Sequence, residues 1–220
     1  SNWVPSPDGN VITYSALDNP DIPDVVVSVR DLYSREVKVV NAYNIDSIDI
    51  KASQTFSGKI VFSKVDFRID FEYQDWTYEP TSGMYEYFID PLLYGMNPAD
   101  KHMLTILNQD NEGASVNIQH YPDGSITLRT TDPFNGKVLI LIGEVNKVFN
   151  NTSDWTVSGT DYKLIVNPYE LGLDPEAPEY MVSVRDADGK EVSLEVKYDY
   201  SGVVMLSSKF KISGTVVISE

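Results

Sequence analysis

Apolar and polar residues alternate along most of this chain. Val192, Leu194, Val196 and Tyr198 alternate with Glu191, Ser193, Glu195 and Lys197, the period-two pattern of a strand with one buried face. Val25, Val27 and Val29 repeat it with Ser28 and Arg30 turned outward, and so do Ile126 and Leu128 against Ser125, Thr127 and Arg129. No stretch carries a long apolar stripe at helical spacing; Leu92-Leu93-Tyr94-Gly95 and Tyr169-Glu170-Leu171-Gly172 predict at most one short helical turn each. Turn chemistry separates the strands: Asp188-Gly189 suits a hairpin needing positive φ, and Pro122-Asp123-Gly124 a tight turn. Val138 to Ile142 is apolar at every position. A facing sheet would cover one side of that strand, and the other side needs a neighbouring unit, a loop or a partner.

The pattern repeats. Pro20 to Asp31 aligns with Pro175 to Asp186, seven of the twelve positions being identical, and Glu36-Val37 continues against Glu191-Val192. Ile89-Asp90-Pro91 in the middle of the chain matches Val166-Asn167-Pro168. Phe56-Ser57-Gly58-Lys59-Ile60-Val61-Phe62, Phe134-Asn135-Gly136-Lys137-Val138-Leu139-Ile140 and Ile212-Ser213-Gly214-Thr215-Val216-Val217-Ile218 form a third set. One tryptophan opens each copy, and Trp3, Trp76 and Trp155 precede Gly58, Gly136 and Gly214 by 55, 60 and 59 residues. The three glycines fall where a bulge or turn would favour that residue. The expected architecture is therefore all-β: three tandem small antiparallel β-sandwich repeats of Ig-like or fibre type, over 1–70, 71–148 and 149–220. The polar run Asn150-Asn151-Thr152-Ser153-Asp154 reads as a linker.

Composition narrows the function. Asp and Glu number 33 against 17 Lys and Arg, a net charge of −16, spread over the three copies as −5, −5 and −6 when divided at residues 75 and 150. That excess disfavours nucleic acid and anionic membrane surfaces, both of which are bound through Lys and Arg. The longest apolar run has five residues, far short of the ~18 of a membrane span, so no membrane insertion is expected. Ser1-Asn2-Trp3-Val4-Pro5 lacks the positive region and apolar stretch of a signal peptide. Cysteine is absent, which excludes disulfides, thiol catalysis and Cys-type zinc sites.

Catalytic chemistry is thin. His102 and His120 are the only histidines, too few for a His-rich metal cluster, and neither has a serine nucleophile in an elbow nearby. No pair of carboxylates stands out for glycoside hydrolysis. Asp186-Ala187-Asp188-Gly189 begins like a calcium loop, but the later ligands do not follow and Asp31-Leu32-Tyr33-Ser34 loses the pattern. No catalytic residue, metal or cofactor is expected. The tryptophans read as packing anchors, with a sugar-stacking platform as the sharper alternative. Trp76, Tyr78, Tyr85 and Tyr87 lie in the densest aromatic stretch and are the candidate contacts for a glycan or a protein partner.

The repeat, with its tryptophan, its strand Val25-Val26-Val27-Ser28-Val29-Arg30-Asp31 and its ending Phe56-Ser57-Gly58-Lys59-Ile60-Val61-Phe62, resembles the small β-sandwich repeat of tailed-bacteriophage tail-fibre and baseplate-associated proteins. The His-Asn-Leu element that often follows the tryptophan in that family is missing from all three copies. The resemblance implies a virion structural protein, an adaptor or appendage supporting host attachment, assembled in the host bacterial cytoplasm. Its implied partners are other virion structural proteins, further copies of itself in the particle, and a host-surface glycan or receptor. A capsid decoration protein and a carbohydrate-binding adhesin array are the alternatives.

Overall fold

A computed structural model describes residues 3–7, 9–15, 25–33, 35, 37–44, 47–173, 180–199 and 203–219. The aligned segments 20–24 and 175–179, with Glu36, lie outside the described residues. The chain is all-β, with antiparallel sheets and three short 3₁₀ turns among the described residues. In the first unit β1 (Val4–Ser6), β2 (Gly9–Ser15), β4 (Val40–Tyr43) and β5 (Ser47–Ala52) form a sheet in the order β1-β2-β5-β4, and β3 (Val25–Asp31) pairs with β6 (Gly58–Lys64). The second unit has β7 (Phe67–Phe71), β8 (Thr77–Glu79), β9 (Met84–Ile89), β10 (Lys101–Asn108), β11 (Asn117–His120), β12 (Ile126–Thr130) and β13 (Gly136–Gly143). Its sheets run β8-β9-β12-β11 and β10-β13-β7. The third has β14 (Val145–Phe149), β15 (Trp155–Ser158), β16 (Asp161–Val166), β17 (Met181–Asp186), β18 (Glu195–Tyr198), β19 (Val204–Ser208) and β20 (Gly214–Ser219). Its sheets run β15-β16-β19-β18 and β17-β20-β14. One strand order thus recurs three times among the described residues, with the leading strand seen in the second and third units. The ladders assign β7 to the second unit and β14 to the third, because each pairs with that unit's last strand. By pairing, the units therefore divide near residues 65 and 144, ahead of the expected 70/71 and 148/149.

Repeated contacts explain the repeated residues. Each tryptophan indole donates to a carbonyl just before the last strand of its unit: Trp3 to Phe56 at 2.7 Å, Trp76 to Phe134 at 2.9 Å and Trp155 to Ile212 at 2.8 Å. The three glycines are neither bulge nor turn. A Cβ at Gly58, Gly136 or Gly214 would stand 1.8, 2.1 or 1.9 Å from the carbonyl oxygen of Arg30, Leu107 or Arg185 on the paired strand. Asp31, Asn108 and Asp186 each end a strand and accept two backbone N–H bonds from the following turn, at 2.8–3.0 Å. The Asp186 carboxylate of the supposed calcium loop is engaged in that way.

The units close into a ring. Matching the strand registers makes Arg35, Glu112 and Lys190 equivalent, and likewise Ala42, Gln119 and Lys197. Isolated antiparallel bridges join Arg35 to Lys197, Lys190 to Gln119 and Glu112 to Ala42. The same contact therefore runs from unit one to three, three to two and two to one, which is the signature of a pseudo-threefold arrangement within one chain. At its centre Val26, Met103 and Met181, also equivalent, join Leu139 and Val217 in a single apolar cluster continuous with the core of unit one. This is the cover for the second face of Val138 to Ile142: Leu139 and Leu141 point to the centre and Val138 and Ile140 into the core of unit two. It also corrects the expectation for Ser28 and Arg30, which face inward to the neighbouring unit and are 3% and 0% exposed.

Candidate functional site

The four aromatic candidates share one face of a hairpin. β8 and β9 pair Tyr78 with Tyr85 and Thr77 with Glu86, so Tyr78, Tyr85 and Tyr87 project to the core side by strand alternation. Trp76 adjoins β8 and packs with Phe71, Tyr87 and Phe134 at ring-centroid distances of 5.4–5.8 Å. Trp76 and Tyr87 are buried. Burial pushes the Tyr87 hydroxyl pKa up, reinforced by its 3.2 Å contact with the Tyr94 hydroxyl. Neither ring can lie against a sugar from solvent, because the opposite sheet already covers that face. Tyr78 is exposed and Tyr85 half-buried, their rings 5.2 Å apart at the edge of the core. Of the expected cluster, only this pair reaches the surface.

The junctions between units hold the polar groups that sequence reasoning passed over. The Arg30 guanidinium donates to the Tyr180 carbonyl and lies 3.5 Å from the Tyr198 ring centroid. Arg185, at the equivalent position, donates to the His102 carbonyl; Tyr180 and His102 are themselves equivalent. Leu107 takes the third place. Burial pushes the Arg185 pKa down to about 10, with Glu191 the opposing influence. The alignment of Arg30 with Arg185 was visible in the sequence; their inward direction was not.

Both histidines sit at these junctions. His120 Nε2 is 3.0 Å from Glu191 Oε1 across units two and three, and Ser183 Oγ donates to the same oxygen at 3.3 Å. The carboxylate stands between hydroxyl and imidazole, so the imidazole is not placed to take the hydroxyl proton as a triad requires. Burial lowers the pKa of His120, as it does that of His102. A cavity of about 520 Å³ opens beside the centre, lined by Val26, Met103, Met181, Ser28, Thr105 and Ser183 among others. Among the described residues no group of three or more His, Asp or Glu could hold a metal ion, and no helix is long and apolar enough to cross a membrane.

These features define an all-β chain of three like-ordered units closed on one another. Comparison with protein-family models, with curated proteins and with solved structures finds no match.

Proposed function

We propose that this chain is a non-catalytic structural component of a bacteriophage virion, an adaptor or appendage of the tail, baseplate or fibre system that supports host attachment. The observation that carries the reading is the closed ring of three units, with the same junction repeated from one to three, three to two and two to one. One polypeptide thereby offers neighbours a body of approximate threefold symmetry whose three faces carry different side chains. Such a body suits a joint between a symmetric structure and a single attached element. The resemblance of the repeat endings to tail-fibre-type sandwiches supports the same reading. The partners would be other virion proteins, and the surplus of acidic residues would favour basic patches on them.

The test is cryo-electron microscopy of particles from a phage encoding the chain. The expected result places it in the tail region, its ring in contact with at least two other proteins. Particles that lack the chain would overturn the proposal, and density on the capsid shell would replace it with a decoration role. The glycan-array alternative is weaker, since burial of Trp76 and Tyr87 leaves Tyr78 and Tyr85 as the exposed remnant of the aromatic candidates.

A further inference from the structure

All three units line the cavity of about 520 Å³ beside the centre, and they do so from equivalent positions. Val26, Met103 and Met181 supply one set, and Ser28, Thr105 and Ser183 another. The first set is buried and belongs to the central apolar cluster. The second puts a short hydroxyl side chain on the same strand face in every unit, two residues from the first. Three short side chains at one level leave room that longer ones would fill. The volume falls within the about 300–1,000 Å³ of small-molecule sites.

Unit one adds a polar group that packing does not explain. Asn41 lines the same cavity, and the ladders make it equivalent to Ile118 and Val196. Those two are buried in the cores of units two and three. Asn41 thus carries an amide at an apolar position, and its Oδ1 is buried with no hydrogen-bond partner among the described residues. An unmet buried acceptor is costly, and a donor entering the cavity would recover that cost. Charge gives no opposing demand. Among the described residues the charged lining is Lys38 and Glu191, one of each sign. Glu191 Oε1 already accepts from Ser183 Oγ at 3.3 Å and lies 3.0 Å from His120 Nε2.

We infer that this cavity binds a neutral small molecule with an apolar body and one hydroxyl or amide donor. The donor meets Asn41 Oδ1, and the body lies against Val26, Met103 and Met181. A carboxylate is the poorer ligand, because it would set an acceptor against the Asn41 oxygen. An ammonium is poorer too, because it would leave water for apolar walls where the nearest carboxylate oxygen is already engaged. The inference does not depend on the virion reading.

The probe is 1-octanol, kept below its solubility limit and added to the 220-residue protein with ¹³C-labelled methionine methyls. Of the five methionines, Met103 and Met181 line the cavity. Octanol is expected to shift those two methyl signals saturably and to leave Met84, Met96 and Met205 in place. Octanoate and octylamine should bind about tenfold more weakly or worse. Asn41→Val places the unit-three side chain in unit one; it should weaken octanol binding about tenfold. Because it removes an unmet acceptor, the variant should melt no lower than the parent protein. No saturable shift, equal shifts at all five methyls, or octanoate or octylamine binding as well as octanol would overturn the inference. So would unchanged octanol affinity in Asn41→Val, or a lower melting temperature for that variant, which would show the amide to be paired within the fold.

Discussion

Replacing Arg185 with Leu should leave the protein as stable or make it more stable, although it deletes a buried hydrogen bond between units. Arg185 is 6% exposed, its Nη2 donates to the His102 carbonyl, and its Nε has no hydrogen-bond partner. A pKa held down to about 10 by burial means that the charged form is disfavoured by about 3 kcal/mol relative to water. Against this stands the His102 carbonyl, whose loss of a donor costs about 1–3 kcal/mol. A buried Leu adds apolar stabilisation, and the chain already carries a fully buried Leu107 at the equivalent place in unit two. The expected change lies between zero and about 2 kcal/mol of added stability, in the range seen when buried charges yield to apolar side chains. Arg30→Leu is the control. Arg30 also spans two units but stacks on Tyr198 at 3.5 Å, a desolvated cation–π contact worth about 2 kcal/mol, so its replacement should destabilise by at least about that amount. Equilibrium urea unfolding at pH 7, followed by tryptophan fluorescence with the slope held equal, compares the two. A loss above about 2 kcal/mol for Arg185→Leu, or equal losses for both variants, would refute the reasoning.

Further outcomes follow from the same geometry. Gly214→Ala should cost about 3 kcal/mol or more, because the new Cβ meets the Arg185 carbonyl at 1.9 Å. Gly159→Ala, at φ +64° with open space around it, should cost about 1 kcal/mol; urea midpoints compare the two. Trp76→Ala should cost about 3–5 kcal/mol as a core deletion, and Tyr78→Ala less than about 1 kcal/mol as a surface change, by the same assay. Stability should fall as pH drops below about 6.5. Burial holds both histidine pKa values down in the folded chain, with Glu191 and Asp100 opposing and Arg185 and Lys101 reinforcing the effect, so the unfolded chain binds the extra protons. The slope approaches about 1.4 kcal/mol per pH unit for each histidine, and His102→Gln should flatten it in melting curves recorded from pH 7 to pH 5.

The sequence by itself carried the all-β character, the recurrence of one pattern three times, and the residues that make each unit. Period-two alternation, Asp-Gly turns and one tryptophan before each conserved-pattern ending depend on contacts within a unit, and such contacts leave a local or repeated trace. It also carried the need for a cover over the second face of Val138 to Ile142, since both faces of that strand are apolar. The direction of Ser28, Arg30 and Arg185 was not legible there. A polar residue alternating with valines reads as solvent-facing, and only the ring turns that face against a neighbouring unit. The candidate aromatics failed for a related reason: composition cannot say which side of the β8–β9 hairpin the rings occupy. The glycines were legible as a repeated requirement but not as a close approach to a carbonyl on another strand. Tertiary structure alone decided how the three units close and which junction has Leu107 in place of arginine. Those are properties of pairings between residues far apart in the chain, and a single sequence encodes the surfaces that meet without stating which meets which.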